Sequence, residues 1–360
     1  MRRQAREQKP QRRASLRELA SITGYSTTTI SMVLNGRARE FNISREACDL
    51  ILSAVKEHDY HPNLHARSLR SRTTDILGLV VPTLHNPFFS EMAETFERLA
   101  RSQRKLALIT VTHHDPQEEL AAIHYFLAQK VECVFTANVM ALEEISDLCT
   151  RAGMRQILLD SQESAKHTVA TDNHEAARAL TRALLASLRA AGRPGRVYFV
   201  GGMADHRITQ HRLAGFRAAL QERGLRAGDD QFIPSAFEAE SAYRAIRALF
   251  RARDDVGGIL LNALPALEGL AQYFPEAPER CRAVHYGVYD FHPIMSLLAD
   301  LRIAIVRQNP VRMMEKAYEL FLGGREGERG QAHYIPHDLV ATPAMRPFLP
   351  EKLRAARRRS

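Results

Sequence analysis

Hydrophobic positions in the first sixty residues follow short helical periods that are separated by turn residues. Ser15 and Glu18 stand three residues apart, which is the pattern of a capping box and predicts a helix from Ser15 to about Ile22. Gly24 follows that helix, and glycine can adopt the positive φ of a tight interhelical turn. The pattern therefore predicts a first helix that ends in a sharp turn.

Two further helices are predicted before residue 60. Ser26 can cap the first of them, from Thr27 to about Leu34, and Ser44 can cap the second. The apolar residues of the second and third helices each form one stripe: Ile30, Val33 and Leu34, then Ala47, Leu50, Ile51, Ala54 and Val55. Three short helices make a headpiece over residues 14–59. On spacing alone, a small helical bundle without any role in DNA binding is an equally good interpretation.

The pattern changes after Asp75, where short β-rich apolar runs alternate with amphipathic stretches. Such alternation is typical of βαβ units, in which helices cover a parallel sheet. The runs are Ile76–Val81, Leu106–Val111, Cys133–Ala137, Ile157–Leu159, Val197–Val200, Gly258–Leu261, Val284–Tyr286 and Ile303–Val306. We therefore expect an all-α headpiece followed by an α/β core of two doubly wound, parallel-sheet lobes.

Most of the positive charge of the chain lies at its two ends. The net charge is +9, but residues 1–13 and residues 346–360 contribute +5 each, which leaves −1 for residues 14–345. We interpret the first segment as a disordered basic arm and the last as a disordered basic tail. Because the arm adjoins the headpiece, contact with DNA phosphates is an alternative interpretation for it. The total charge is thus no evidence that the headpiece itself binds DNA.

Neither the cysteines nor any short motif indicates a metal site, a cofactor or an enzyme. The four cysteines are widely spaced without a CxxC pair, so a zinc site and a disulfide framework are not supported. The sequence has no GxGxxG after a strand, no GxxxxGK[ST], no GxSxG and no HExxH. His113 and His114 are adjacent in a turn and normally point apart, so we expect no metal there. With neither a signal-peptide pattern nor a membrane-spanning apolar stretch, a soluble cytoplasmic protein is expected.

Two stretches near the N-terminus carry a long motif. The first runs from Leu19-Ala20 through Gly24-Tyr25-Ser26 and Thr29-Ile30-Ser31 to Val33-Leu34-Asn35-Gly36, and the second is Tyr60–Arg70. Together they resemble the headpiece and hinge of the LacI/GalR family of sugar-responsive transcription repressors. The resemblance implies a helix-turn-helix domain whose second helix enters the major groove of operator DNA. It also implies a hinge helix within residues 60–74, capped by Asn63, whose Leu69 wedges into the minor groove.

Two features distinguish this headpiece from most of that family. Met32 stands where the lactose repressor has a base-reading arginine, so bidentate readout of guanine is not available there. The loop from Asn35 to Ile43 is longer than in most relatives. In both features the headpiece resembles those of the sucrose and fructose repressors, which form one branch of the family.

The resemblance and the helix faces together give the candidate DNA-binding residues. They are Ser15, Arg17, Ser26, Thr27, Thr28, Thr29, Ser31, Met32, Asn35, Asn42, Asn63, Ala66, Arg67 and Leu69. We expect a homodimer, because one headpiece contacts too few base pairs and symmetric half-sites need a two-fold protein. The sequence after Pro350 has no leucine heptad, so a tetramer is not expected.

The remaining residues resemble the periplasmic-binding-protein-like core of the same family, which implies an effector held between two lobes. We place one lobe at residues 75–173 and 308–330, the other at 174–307 and 331–345, and the effector at the carboxyl ends of their strands. The candidate effector-binding residues are Thr83, Phe88, Phe89, Asp160, Arg212, Phe237, Asn262, Asp290 and Arg307. Of these, Arg212 lies in a segment that matches the Arg-x-x-Gly-Phe signature of the family.

Several of these residues have an alternative interpretation. Phe88 and Phe89 can equally be apolar core between the lobes, and Asp290 can be an exposed loop residue. Arg307 can equally belong to a salt bridge of the interlobe hinge. The chain also has alanine after Asn262, where many relatives have an aspartate that accepts a sugar hydroxyl.

These features together predict a sequence-specific repressor of a carbohydrate-utilisation operon. Its operator affinity is expected to depend on a sugar, a sugar phosphate or a sugar acid. With Arg212 and Arg307 facing the cleft, an anionic or strongly polar effector, such as a sugar phosphate or a sugar acid, is expected rather than a neutral hexose. No cofactor and no membrane partner are expected. The alternative is an α/β sugar-binding or sugar-modifying protein whose helical N-terminus does not read DNA.

Overall fold

The computed structural model describes residues 14–34, 36–60, 74–161, 167–193, 195–292, 295, 298–323 and 330–349. The chain divides into two compact units, residues 1–74 and residues 75–360. Within the described part of the first unit there are three helices: α1 (Leu16–Thr23), α2 (Thr27–Leu34) and α3 (Arg45–Glu57). Among the described residues, no helix is long and apolar enough to cross a membrane.

The ends of α1 and the start of α3 confirm the predicted caps. The Oγ of Ser15 accepts a hydrogen bond from the N–H of Glu18 at 3.2 Å, and the Ser15 N–H donates to the Glu18 carboxylate at 2.5 Å. Gly24 ends the helix at φ 72°, a left-handed conformation in which a side chain would be strained. The Oγ of Ser44 accepts from the N–H of Ala47 at 3.2 Å.

The three helices enclose a small core around Leu19, Ile30 and Ile51, all of which are fully buried. The prediction that Leu50 belongs to this core is wrong, because its side chain is 51% exposed. The buried face of α3 follows Ala47, Ile51 and Ala54, and Leu50 lies on the flank of that face.

The described residues of the second unit form two six-stranded sheets. The first has the order β11-β5-β4-β3-β1-β2 and is parallel throughout; the second has the order β12-β10-β9-β8-β6-β7 and is parallel except for β12. The first is formed by β1 (Ile76–Val81), β2 (Leu106–Val111), β3 (Cys133–Ala137), β4 (Arg155–Leu159), β5 (Thr168–Ala170) and β11 (Ala332–Tyr334). The second is formed by β6 (Arg196–Val200), β7 (Phe232–Ile233), β8 (Val256–Leu261), β9 (His285–Tyr289), β10 (Arg302–Arg307) and β12 (Asp338–Ala341).

Helices cover both faces of each sheet, so that each sheet and its helices form one lobe. The first lobe has α4 (Pro87–Ser102), α5 (Pro116–Ala128), α6 (Leu142–Arg151) and α12 (Pro310–Gly323). The second has α7 (Asn173–Ala190), α8 (Arg207–Gln221), α9 (Ala239–Ala252), α10 (Leu264–Tyr273) and α11 (Pro278–Ala283). This confirms the predicted fold class, because each of the eight apolar runs overlaps a strand and the sheets are doubly wound.

The chain crosses between the two sheets after β5, after β10 and after β11. The last crossing corrects the expected lobe boundary at residue 330, because Ala332–Tyr334 still pairs with β5 of the first sheet. Only Asp338–Ala341 joins the second sheet, antiparallel to β10. The strand β11 has three residues and no continuous apolar run, so the sequence pattern does not reveal it.

Candidate functional site

A cavity of about 490 Å³ lies between the two lobes, at the carboxyl ends of the parallel strands of both sheets. Residues that follow β1 to β4 line it from the first lobe, and residues that follow β6 to β9 line it from the second. Ligands of open parallel sheets bind at this edge. The volume lies within the range of roughly 300–1,000 Å³ that is typical of small-molecule sites.

Aromatic rings form the apolar wall of this cavity. Phe88 and Phe89 lie at the start of α4, and Asn86 caps that helix by accepting the N–H of Phe88 at 3.0 Å. Both rings line the cavity and also belong to the core of the first lobe, so their two interpretations do not exclude each other. From the second lobe, Phe237 stacks on His114 with ring centroids 4.8 Å apart. Such rings can pack against the apolar face of a sugar or polyol.

Arg212 is the central cation of the cavity and is held rigidly. It lies on α8 and is 3% exposed. Its Nε donates to the Oδ1 of Asn173 at 2.7 Å, and its Nη1 donates to the backbone oxygen of Asn262 at 2.5 Å. The guanidinium also lies 3.7 Å from the ring centroid of Tyr289. Its position is therefore set by three elements of the second lobe before any ligand binds.

Two buried carboxyl groups share the cavity with Arg212. Asp160 follows β4 and Asp290 follows β9, so they approach from different lobes. Burial raises the pKa of both groups, and the nearby Arg212 guanidinium partly opposes this rise. The pKa of Asp290 is raised to about 6, although Gln308 Nε2 also donates to its Oδ1 at 2.8 Å. A carboxylate in this setting is a strong acceptor for a ligand hydroxyl group.

The raised pKa of Asp290 predicts how the stability of the core depends on pH. Folding raises this pKa from 3.8 to about 6, so the favourable contribution of the protonated group is lost as the pH rises through 6. We expect Asp290→Asn to raise the free energy of unfolding at pH 7 by up to about 3 kcal/mol, and to change it little at pH 4. Urea unfolding across this range measures the effect, with the exposed Asp147→Asn as control. An equal change at both pH values would contradict the prediction.

Seven of the nine candidate effector residues line this cavity. They are Thr83, Phe88, Phe89, Asp160, Arg212, Phe237 and Asp290. Asp290 is 8% exposed, so its alternative interpretation as an exposed loop residue is wrong. Asn262 lies behind the cavity: its Nδ2 contacts the Oγ1 of Thr209 at 3.3 Å, and its carbonyl orients Arg212.

The expectation that Arg307 faces the cleft is wrong. Its side chain is 51% exposed and donates to Asp338 at 2.7 Å, directly across from it on β12. Neighbouring strand residues point to opposite sides, so Gln308 lines the cavity instead. This ion pair matches the alternative interpretation of Arg307 as a salt-bridge residue.

Several lining residues were not among the candidates. Asn138 follows β3, His113 and His114 follow β2, and Gln308 follows β10. The signal that could have found them is their position directly after a predicted strand. The two histidines line the cavity, and among the described residues no group of three potential ligands could hold a metal.

The headpiece presents a hydroxyl-rich surface around α2. Ser26 and Thr28 are exposed, whereas Thr27, Ser31 and Met32 are partly exposed. The Oγ of Ser26 accepts from the N–H of Thr29 at 3.1 Å, so Ser26 also caps this helix. The other candidates in the described part of the headpiece, Ser15, Arg17 and Asn42, are exposed. Asn35, Asn63, Ala66, Arg67 and Leu69 lie outside the described residues.

The loop after α2 is locally organised. Arg37 Nε donates to the Glu40 carboxylate at 2.7 Å, and the Arg37 guanidinium lies 4.9 Å from the ring centroid of Phe41. Asn42 adopts a left-handed φ of 51°. These contacts give the longer loop a defined shape beside α2.

The chain resembles a known domain family and several known repressors. A model described as a periplasmic binding protein domain matches residues 77–323. The chain is 26% identical over 332 residues to the sucrose operon repressor of Klebsiella pneumoniae, covering 91% of this chain and 98% of that protein. It is 32% identical over 192 residues to the ribitol operon repressor of Klebsiella aerogenes, covering 53% of this chain and 71% of that protein.

Solved structures show the same fold. The lac repressor dimer bound to operator and the anti-inducer ONPF superposes with a TM-score of 0.75 at 18% identity, covering 93% of this chain and 100% of that one. The Cra transcriptional dual regulator of Pseudomonas putida, in complex with fructose 1-phosphate, gives a TM-score of 0.65 at 21% identity. That match covers 74% of this chain and 98% of the regulator.

Proposed function

The chain belongs to the LacI/GalR family of DNA-binding repressors of carbohydrate-utilisation operons, and on this premise we propose how its two units act. The headpiece reads one operator half-site through α2 as part of a homodimer. The cavity between the lobes binds an uncharged polyol or sugar, and this effector sets the affinity for the operator. The proposed effector class rests on one observation: a single cation, Arg212, lies among several carboxyl groups in the cavity.

The surface of α2 supports readout by hydroxyl groups and a methyl-rich side chain. Thr27, Thr28 and Ser31 offer small hydroxyl groups to base edges, and Met32 can contact the methyl group of thymine. The described part of α2 contains neither arginine nor lysine, so bidentate recognition of guanine from this helix is not available. We propose that contacts with thymine methyl groups and single hydrogen bonds specify the half-site.

The charges in the cavity favour an uncharged effector over a phosphate or an acid. Arg212 is the only arginine or lysine among the described lining residues, and two of its nitrogens already donate to protein oxygens. Asp160 and Asp290 lie beside it, and Glu238 and Glu268 also line the cavity. A phosphate needs several donors and a positive potential, whereas these carboxylates suit the hydroxyl groups of a polyol. The sequence-based expectation of an anionic effector relied partly on Arg307, which does not line the cavity.

The position of the cavity supports coupling between effector and operator. Asp160 and Asp290 contact the effector from opposite lobes, so binding changes the free energy of lobe closure. A repressor responds only if the effector binds its two conformations with different affinities. We propose that lobe closure changes the relation of the two hinge segments in the dimer, and thereby operator affinity.

Fluorescence anisotropy with promoter DNA from the chain's own gene neighbourhood tests this function. The uncharged panel consists of ribitol, D-arabinitol, xylitol, D-sorbitol, fructose and sucrose. Ribitol and sucrose are included because two relatives are repressors of ribitol and sucrose operons. Fructose 1-phosphate, ribitol 5-phosphate and gluconate form the anionic panel. We expect at least one uncharged compound to change operator affinity by about 10-fold, which corresponds to a coupling free energy of about 1.4 kcal/mol.

The possible outcomes separate the two parts of the proposal. If no salt-sensitive, sequence-selective binding to promoter DNA occurs, the repressor function is contradicted. If DNA binds and only the anionic compounds change its affinity, the effector class is wrong and the regulatory function remains.

A further inference from the structure

A buried histidine beside the cavity has no role in the site as described so far. His206 precedes α8 and is 3% exposed. Its ring lies 5.0 Å from Phe237 and 5.8 Å from His114, measured between centroids. Neither ring nitrogen of His206 has a hydrogen-bond partner among the described residues.

Two unpaired nitrogens at this depth point to a ligand. Burial, together with His114 and Arg212, lowers the pKa of His206 to about 3, so the ring is neutral at neutral pH. A neutral imidazole has one N–H donor and one acceptor nitrogen, which matches a hydroxyl group that both accepts and donates. Buried polar groups in folded proteins almost always have a partner. No described residue pairs with either nitrogen, so a molecule from outside the chain can supply the missing partner.

His206 lines a small side chamber that adjoins the main cavity. The chamber has a volume of about 60 Å³ and shares Asn138, Asp160 and Ile208 as common walls with the main cavity. One water needs roughly 10–15 Å³ measured in this way, so the chamber has room for a hydroxymethyl group. Asp160 also lines the chamber and supplies a carboxyl acceptor there.

We propose that His206 determines effector specificity by binding a terminal hydroxyl group that enters this side chamber. The carbon chain of the effector then lies in the main cavity against Phe88 and Phe237. This inference rests on the proposed function, because it assumes that the main cavity binds an uncharged polyol. It predicts that the protein distinguishes a polyol from a counterpart that lacks one terminal hydroxyl group.

Isothermal titration of the full chain tests the proposal with matched ligands and variants. The ligands are ribitol, D-arabinitol, xylitol and D-sorbitol, each paired with its terminal deoxy counterpart. His206→Phe keeps an aromatic ring and removes both nitrogens, whereas His206→Gln keeps a donor and an acceptor. His124→Phe makes the same change on the exposed side of α5 and serves as control.

For the polyol that binds wild type most tightly, we expect His206→Phe to weaken binding about 10-fold. Binding of its deoxy counterpart is expected to change by less than about 2-fold, because the hydrogen bond is already missing there. His206→Gln is expected to recover part of the discrimination between the polyol and its deoxy counterpart. His124→Phe is expected to leave this discrimination unchanged. If His206→Phe does not fold, His206→Gln takes its place. The ratio of its affinities for the polyol and for the deoxy counterpart, compared with the same ratio in wild type, then shows whether His206 contributes to the discrimination.

Each other outcome overturns the proposal in a different way. If His206→Phe weakens both ligands of a pair by the same factor, the ring only supports packing between the lobes. If wild type binds polyols but does not discriminate against the deoxy compounds, the proposed function stands and the assignment of His206 fails. If wild type binds none of these polyols, the assignment of His206 fails, whereas the proposed effector class fails only if fructose and sucrose do not bind either.

Discussion

Replacing Arg212 by methionine is expected to destabilise the core by about 3–5 kcal/mol and to abolish measurable effector binding. The guanidinium is buried, and its charge lowers the pKa of both Asp160 and Asp290, which lie on opposite lobes. Methionine fills a similar volume but leaves two carboxyl groups in the cavity without a cation. It also leaves the Oδ1 of Asn173 and the backbone oxygen of Asn262 without their donor. Removal of one partner from a buried charge cluster is costly because the remaining charges stay desolvated.

Thermal unfolding of the full chain and titration with the uncharged panel measure both effects of Arg212→Met. The matched control is Arg307→Met, since that arginine forms an exposed ion pair outside the cavity and should change stability by less than about 1 kcal/mol. Adding Asp160→Asn to Arg212→Met should restore part of the stability, because it removes one uncompensated charge. Retention of wild-type polyol affinity in Arg212→Met would show that the cavity is not the effector site.

Replacing Ile51 by aspartate is expected to unfold the headpiece and to reduce operator binding to the nonspecific level. Ile51 is fully buried in a core that otherwise rests mainly on Leu19 and Ile30. An unpaired carboxylate at this position costs several kcal/mol, and a domain of this size has little stability to lose. Because Ile51 lies on α3, the loss cannot be attributed to removal of a base contact made by α2.

The control for Ile51→Asp is the adjacent Leu50→Asp. Leu50 is 51% exposed, so a carboxylate there stays hydrated and should change operator affinity only slightly. Anisotropy with operator DNA and titration with the uncharged panel measure the two functions separately, and effector binding should survive in both variants. Equal losses of operator binding in the two variants would contradict the assigned headpiece core.

Signals that act over a few residues allowed a correct prediction of the headpiece and of most of the core. The capping hydrogen bonds of Ser15 and Ser44 span three residues, and the turn at Gly24 depends on one backbone conformation. Long apolar runs likewise marked eight strands. Seven of them are largely buried, as parallel strands covered on both faces are, whereas β2 at the edge of its sheet is partly exposed. The family predicted from the headpiece and hinge motif is confirmed by the sucrose and ribitol operon repressors.

Apolar runs did not predict four short strands. β5 and β11 have three residues each, β7 has two and β12 has four. Segments of this length carry no period, and they become strands only because a partner from a distant part of the chain supplies their hydrogen bonds. Because β11 pairs with β5, the chain passes from the first lobe to the second after β11, and not at residue 330 as predicted.

In the effector site, some features follow from the local sequence and others depend on the tertiary structure. Asp160 and Asp290 directly follow strands and Arg212 lies in a short sequence motif, so all three could be singled out from local properties. The choice between Arg307 and Gln308 depended on which side of β10 faces the other lobe, and the burial of His206 depended on packing across the cleft. The net charge that a ligand meets is a sum over loops from both lobes, so only the assembled cavity favours an uncharged effector over an anionic one.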